Sequence, residues 1–264
     1  MPDVTGIVLG TINPLEEVVA RELFTFWGIT VSNHMFMVTL AAVLLIILLP
    51  LSVRGKGLVR RGFGNLIETV CVFIREEMVR PFLGDTTDKH IGFVWTVFFF
   101  VLTLNLLGMV PIDKFITLLS GRQSHLGGIA TANIWVTGSL ALVAFLSIHI
   151  FGMRQQGVWG YVRNFAPHVP WPMVPFIYFL EVVGAIVKPF ALAIRLFANM
   201  LAGHVVLGTL LGLIFMFKNY FVGAATVIGV VLMSLLELFV AFLQAYIFTF
   251  LTTIFIGFAV KPEH

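Results

Sequence analysis

Two uninterrupted apolar runs, at about 173–217 and 219–260, most constrain what this chain can fold into. As one straight helix the first would extend roughly 65 Å, about twice the hydrocarbon thickness of a bilayer. It cannot stand upright as a single span. Splitting it into two spans would need a polar turn in the middle, yet Pro189 is the only breaker there and Lys188 the only hydrophilic neighbour. The run therefore predicts one long, strongly tilted and kinked helix. The second run predicts another, and "FKNYF" between them supplies the turn of an antiparallel hairpin spanning 173–260.

Three shorter runs, at about 35–53, 92–110 and 133–151, each approach the ~20 residues that a helix needs to cross a membrane. Overall the chain is 59% hydrophobic and 11% charged, against roughly 45–50% and 25% in a soluble domain. The runs are continuously apolar instead of alternating, which argues against a β-barrel. The expected fold class is an all-α membrane protein, with residues 1–264 forming a single membrane domain. Between the first two spans, Phe63, Leu66, Ile67, Val70, Ile74 and Met78 recur at helical spacing among charged residues. That pattern predicts an amphipathic helix over 55–82 lying in the membrane interface. Pro111 ends the second span, and the polar loop through "SGRQSHLGG" leads into the third, so 92–151 reads as a helical hairpin. Four prolines in "APHVPWPMVP" (166–175) then require a rigid non-helical turn.

The net charge of +3 would suggest nucleic acid in a soluble protein, but here the basic residues sit in short loops and no nucleic-acid partner is expected. Lys and Arg at 54, 56, 60, 61, 75, 80, 89, 154, 163 and 261 fall on one side, and Arg21, Lys114, Arg122 and Lys218 on the other. The ten-to-four bias predicts an outer N-terminal segment (1–34), an inner 53–90 loop and an inner C-terminus. The first 34 residues hold four acids and one arginine, which is no signal-peptide pattern. The single cysteine, Cys71, excludes an internal disulfide and a cysteine-based metal site; it reads as a small apolar residue, and neither metal nor cofactor is expected. His149 reads as an interface histidine.

Deep in the two long helices the strongly polar residues are Glu181, Lys188, Arg195, His204 and Glu237, with the amides Asn199 and Gln244. Ionisable groups at such depth are functional candidates by default. At 100° per residue Glu181 and Lys188 lie within about 40° of Arg195, whereas His204 points about 180° away. Folding the helices back near residue 218 sets Asn199 level with Glu237, brings Glu237 within about one and a half turns of His204, and lets Gln244 approach Arg195. Along the axis Glu181 lies about 21 Å to one side of Arg195 and His204 about 13 Å to the other. Arginine does not deprotonate, so a proton wire is interrupted there. Structural pairing would account for Glu181 with Lys188 and for His204 with Glu237, and amides such as Asn105 often only bridge helices. Arg195 has no acid at helical spacing.

"KPFALAIRLFANMLAGH" (188–204) and the helix carrying "ELFVAFLQAYIFTFL" (237–251) resemble subunit a of F-type ATP synthases. The likeness covers nearly the whole chain and includes "TLNLLGMVP" (103–111) on the second span. It implies a non-catalytic, proton-conducting stator of the Fo motor in an energy-coupling membrane, either a bacterial inner membrane or a mitochondrial one. The implied partners are a ring of c subunits, a peripheral stalk of subunit b type, other ATP synthase subunits and membrane lipid. Arg195 matches the arginine that faces the ring carboxylate, and Asn199 and Gln244 match polar positions beside it. His204 and Glu237 match a pair that the enteric bacterial relative carries in the opposite order. The resemblance implies two offset half-channels separated by Arg195, with Glu181 and Lys188 on the inner path. A self-contained transporter would need its own carboxylate for Arg195 and usually internal repeats. A purely structural scaffold would not need ionisable groups on both sides of an arginine.

Overall fold

The computed structural model describes residues 21–26, 29–53, 62–110, 112, 116, 127–163, 171–217 and 220–261. Arg54, Lys56, Arg60, Arg61, Lys114, Arg122, Pro111, the loop "SGRQSHLGG" through residue 126, residues 166–170 of the proline-rich turn, residues 218–219 and the first twenty residues lie outside that set. Strands β1 (Glu22–Phe26) and β2 (Ile29–Ser32) form an antiparallel ribbon ahead of helix α1 (Asn33–Val53). Then come α2 (Phe63–Phe73), a π-helical segment (Ile74–Val79), α3 (Arg80–Leu83), a 3-10 turn (Gly84–Thr86) and α4 (Thr87–Met109). Helices α5 (Ile134–Gln156) and α6 (Val158–Arg163) follow. The long helices α7 (Val174–Phe217) and α8 (Tyr220–Val260) complete the order.

Among the described residues five helical stretches are long and apolar enough to cross a membrane: Asn33–Ser52, Phe63–Met109, Ile134–Gln156, Val174–Leu213 and Tyr220–Val260. The chain is an all-α, multi-pass membrane protein, with the β1–β2 ribbon as an addition that the apolar patterning did not foretell. The amphipathic segment and the second span run on as one helical stretch; Gly84 adopts φ 52°, a left-handed conformation that glycine takes without cost, and breaks the α-helical path between α3 and α4. Helix α7 continues for 44 residues through Pro189. Proline lacks the N–H that would bond the Ala185 carbonyl, so that oxygen loses its i+4 donor.

The chain divides into two compact units. One comprises Met1–Ala42, Leu102–Thr137 and Arg195–Gln244; the other comprises Val43–Val101, Gly138–Ile194 and Ala245–His264. In the first, Asn33 ties three segments together. Its Oδ1 accepts from the Arg21 and His34 amides at 3.1 and 3.0 Å, and its Nδ2 donates to the Gly127 carbonyl at 3.2 Å. A Cβ at Gly128 would meet Asn33 Nδ2 at 2.5 Å, so only glycine lets that loop approach so closely. Ile129, Ala132, Met200 and Ala241 pack into a core with Met109 beside them.

In the second unit, Ile67, Ile74, Met78, Val79 and Leu83 turn the apolar stripe of the amphipathic segment inward. The charged side is tied by Arg75 donating to Asp88 at 2.6 Å and by Arg80 donating to Glu76, both exposed. Such pairs contribute little to stability. Trp95 Nε1 donates to the Cys71 carbonyl at 3.1 Å, and Cys71 is half-buried. The end of α8 is anchored where Gln156 Nε2 donates to the Ala259 carbonyl at 2.7 Å.

Candidate functional site

Arg195 sits on the exposed side of α7. Its neighbours one turn away on the same stripe, Ala191 and Ala198, are also exposed and small, while Leu192, Ala193, Leu196 and Met200 turn into the protein. The apolar side chains flanking that stripe, Phe190 at 61% and Ile194 at 41% exposure, are uncovered as well. Among the described residues no carboxylate lies within ion-pairing distance of Arg195.

Two turns further along α7, His204 meets Glu237 of α8. His204 Nδ1 lies 2.9 Å from Glu237 Oε1, with both side chains buried or nearly so. The same nitrogen lies 3.2 Å from the Met200 carbonyl oxygen one turn back. Nδ1 has one proton to give, and Oε1 itself completes no well-directed hydrogen bond. The carboxylate is thus close to the imidazole and only loosely held by it, an arrangement suited to passing a proton. Gly203 creates the room: a Cβ there would stand 2.8 Å from Glu237 Oε1 and 3.2 Å from its carboxyl carbon. One turn beyond Glu237, Asn105 Nδ2 of α4 donates to the Ala241 carbonyl at 3.2 Å.

The two amides differ in burial. Asn199 is half-buried on α7. Gln244 is buried at 3% exposure, its Nε2 finds no partner among the described residues, and no hydrogen bond joins it to Arg195.

Glu181 and Lys188, two turns apart on α7, come together in the second unit. Lys188 Nζ lies 3.7 Å from Glu181 Oε1 and 5.0 Å above the ring of Phe255. Both line a cavity of about 110 Å3 together with His149, Gln156 and Tyr161. The Tyr161 phenol is pushed above its usual pKa by burial and then by the charge of Glu181 and by Tyr178, so it stays a neutral donor. His149, read from sequence as an interface residue, packs against Tyr161 with ring centroids 5.9 Å apart and holds its Nδ1 2.8 Å from the Phe145 carbonyl. Nothing in the spacing of His149, Gln156 and Tyr161 announced that they would share a cavity with α7, because they converge from α5 and α6. Gly203 was equally invisible, since its role is the absence of a side chain.

The description "ATP synthase A chain" belongs to the family model that matches residues 35–257. ATP synthase subunit a of Chloroherpeton thalassium is 37% identical over 246 residues, covering 90% of this chain and 68% of the relative. Its counterpart from Myxococcus xanthus is 41% identical over 241 residues, covering 89% and 75%. That from an Anaeromyxobacter species is 39% identical over 232 residues, covering 86% of this chain and 54% of the relative. The chain thus spans between about half and three quarters of the length of these curated relatives. The matched stretch runs from Met35 in α1 to Gly257 in α8 and includes Glu181, Lys188, Arg195, Asn199, His204, Glu237 and Gln244, and the chain belongs to the ATP synthase A chain family, that of subunit a.

Proposed function

We propose that this chain is the proton-conducting stator of a rotary Fo motor, with two offset half-channels that meet a ring carboxylate on either side of Arg195. The observation that carries the reading is the exposed Arg195 without a carboxylate of its own among the described residues. A ring carboxyl protonated from the outer side by way of His204, Glu237 and Asn199 is neutral and can travel through lipid. On arriving at Arg195 from the far side it loses its proton: at an effective dielectric near 20, a carboxylate 4 Å from a guanidinium gains about 4 kcal/mol. The proton leaves along Glu181 and Lys188. Gln244 of α8 belongs to the polar groups of the path beside the arginine. Because Arg195 never gives up its proton, the two paths stay separate.

In this reading the two compact units act as one membrane domain in an energy-coupling membrane, with the N-terminal segment outside and the C-terminus inside. The moving partner is a ring of small c subunits that covers the Arg195 face, and a peripheral stalk of subunit b type holds the chain still. The sequence order along α7 supports the two-sided path, with Glu181 fourteen residues before Arg195 and His204 nine residues after it.

The test is Arg195→Ala in the assembled complex. ATP synthesis and ATP-driven pumping are expected to vanish with assembly retained, and Arg195→Lys is expected to be severely impaired, because a buried lysine can deprotonate and lacks the planar fork. Vesicles bearing Arg195→Ala that pump at the wild-type rate would refute the reading.

A further inference from the structure

We propose that His149 is a proton relay of the inner cavity, accepting the proton that Glu181 releases and delivering it to the inner aqueous phase. The inference rests on the reading of Glu181 as the inner proton group. Four observations within one compact unit support it. His149 and Glu181 line the same cavity of about 110 Å3, which has room for several waters between them. His149 Nδ1 faces the Phe145 carbonyl at 2.8 Å; a carbonyl only accepts, so Nδ1 carries the hydrogen and Nε2 is the basic nitrogen of the neutral ring. Tyr161, packed against the imidazole and kept neutral by burial, orients the ring without competing for protons. Pro189, which lines the cavity with Ala185, lacks the N–H that would occupy the Ala185 carbonyl.

The step balances. The Glu181 carboxyl O–H bond breaks, its proton passes through water to His149 Nε2, and the imidazolium then gives one proton to inner water and returns to the Nδ1–H form. An imidazole can take a proton on one ring nitrogen and give one up again, so a single side chain serves as acceptor from the carboxyl and as donor to water. The groups facing it are Tyr161 from α6 and, across the cavity, Glu181 and Lys188 from α7. Helix α8 contributes apolar Phe255 and Phe258, together with Ala259. Lys188 Nζ stands 3.7 Å from Glu181 Oε1.

The experiment measures passive proton conduction and ATP-driven pumping in vesicles carrying the whole complex with His149→Ala, His149→Gln or Glu181→Gln. Either His149 variant should assemble and conduct on the order of tenfold more slowly, below the usual reach of a positioned proton-transfer group because water can partly bypass it. Imidazole supplied at the inner face should restore conduction to His149→Ala and leave wild type unchanged, with the rescue growing as pH rises and more neutral base is present. Wild-type conduction in both His149 variants overturns the relay. So does a loss that imidazole does not repair, or failure of both variants to assemble, since each marks a packing role. Glu181→Gln conducting normally would instead overturn the underlying assignment of the inner path, whatever the His149 variants do.

Discussion

His204 Nδ1 of α7 stands 2.9 Å from Glu237 Oε1 of α8, and the same nitrogen is shared with the Met200 carbonyl at 3.2 Å. The carboxylate therefore has a close imidazole neighbour without a fully formed hydrogen bond from it. A proton can be handed between the two with little rearrangement. This proximity makes the pair an energetic unit, and units fail to add in mutational cycles.

Alanine at either position should slow proton conduction by roughly a hundredfold, the low end for a positioned proton-transfer group. The exchange His204→Glu with Glu237→His should recover more conduction than the worse single alanine variant. Conduction in vesicles stripped of their soluble catalytic sector would report it, and a strictly additive double-mutant cycle would show that the two residues act alone.

Gly203 offers a second handle on the same geometry. A methyl group there would sit 2.8 Å from Glu237 Oε1, so Gly203→Ala must push the carboxylate away from His204. Overpacking of this kind costs about 1–3 kcal/mol, while the neighbouring backbone stays helical. Conduction should fall with assembly kept. Shortening the acid in Gly203→Ala with Glu237→Asp should return part of it; no change in the single variant would mean that the carboxylate position is irrelevant.

The approach of His204 to Glu237 was legible because α7 and α8 are uninterrupted, so the level of each residue follows by counting along the two helices. Rotation about the helix axis was not legible. The burial of Gln244 at 3% exposure did not follow from its level along α8, because the side that a residue presents is decided by packing, here beside the buried Ala241, Ala245 and Phe248 of the same helix. Glu181 and Lys188 were readable as a pair because two helical turns separate them. The cavity they line was not, since His149, Gln156 and Tyr161 reach it from other helices and their apolar surroundings give no pattern. The β1–β2 ribbon escaped notice for a similar reason: "ELFTF" and "ITVS" merge by composition into the apolar span that follows.

Asn105 separates packing from conduction. It donates to the Ala241 carbonyl at 3.2 Å, but its own Oδ1 is buried without a partner, so its net contribution is small. Interhelical side-chain hydrogen bonds in membrane proteins average about 0.6 kcal/mol, and Asn105→Leu also removes the unsatisfied oxygen. The variant should destabilise the detergent-solubilised complex by about 1 kcal/mol or less and leave pumping near the wild-type rate. A large loss of pumping with stability intact would place Asn105 on the proton path.

The order Glu181, Arg195, His204 along α7 leads to a last expectation, that water reaches the two ends from opposite sides of the membrane. On the proposed function a continuous aqueous path would dissipate the gradient, so access is expected to be interrupted at Arg195. The background should first be Cys71→Ser; the bond from Trp95 goes to the Cys71 carbonyl and survives that change. Single cysteines then go to Gly184, which has open room beside Lys188, and to Val205 and Val240, which flank the His204 and Glu237 level and are partly exposed. A small membrane-impermeant thiol reagent applied to sealed vesicles of known orientation should modify Gly184→Cys only from the inner face. It should modify Val205→Cys and Val240→Cys only from the outer face, and labelling should slow proton conduction in each case. If both sets react from the same side, the paths are not offset, and an exposed arginine in the middle of α7 would have to be explained by something other than keeping two proton routes apart.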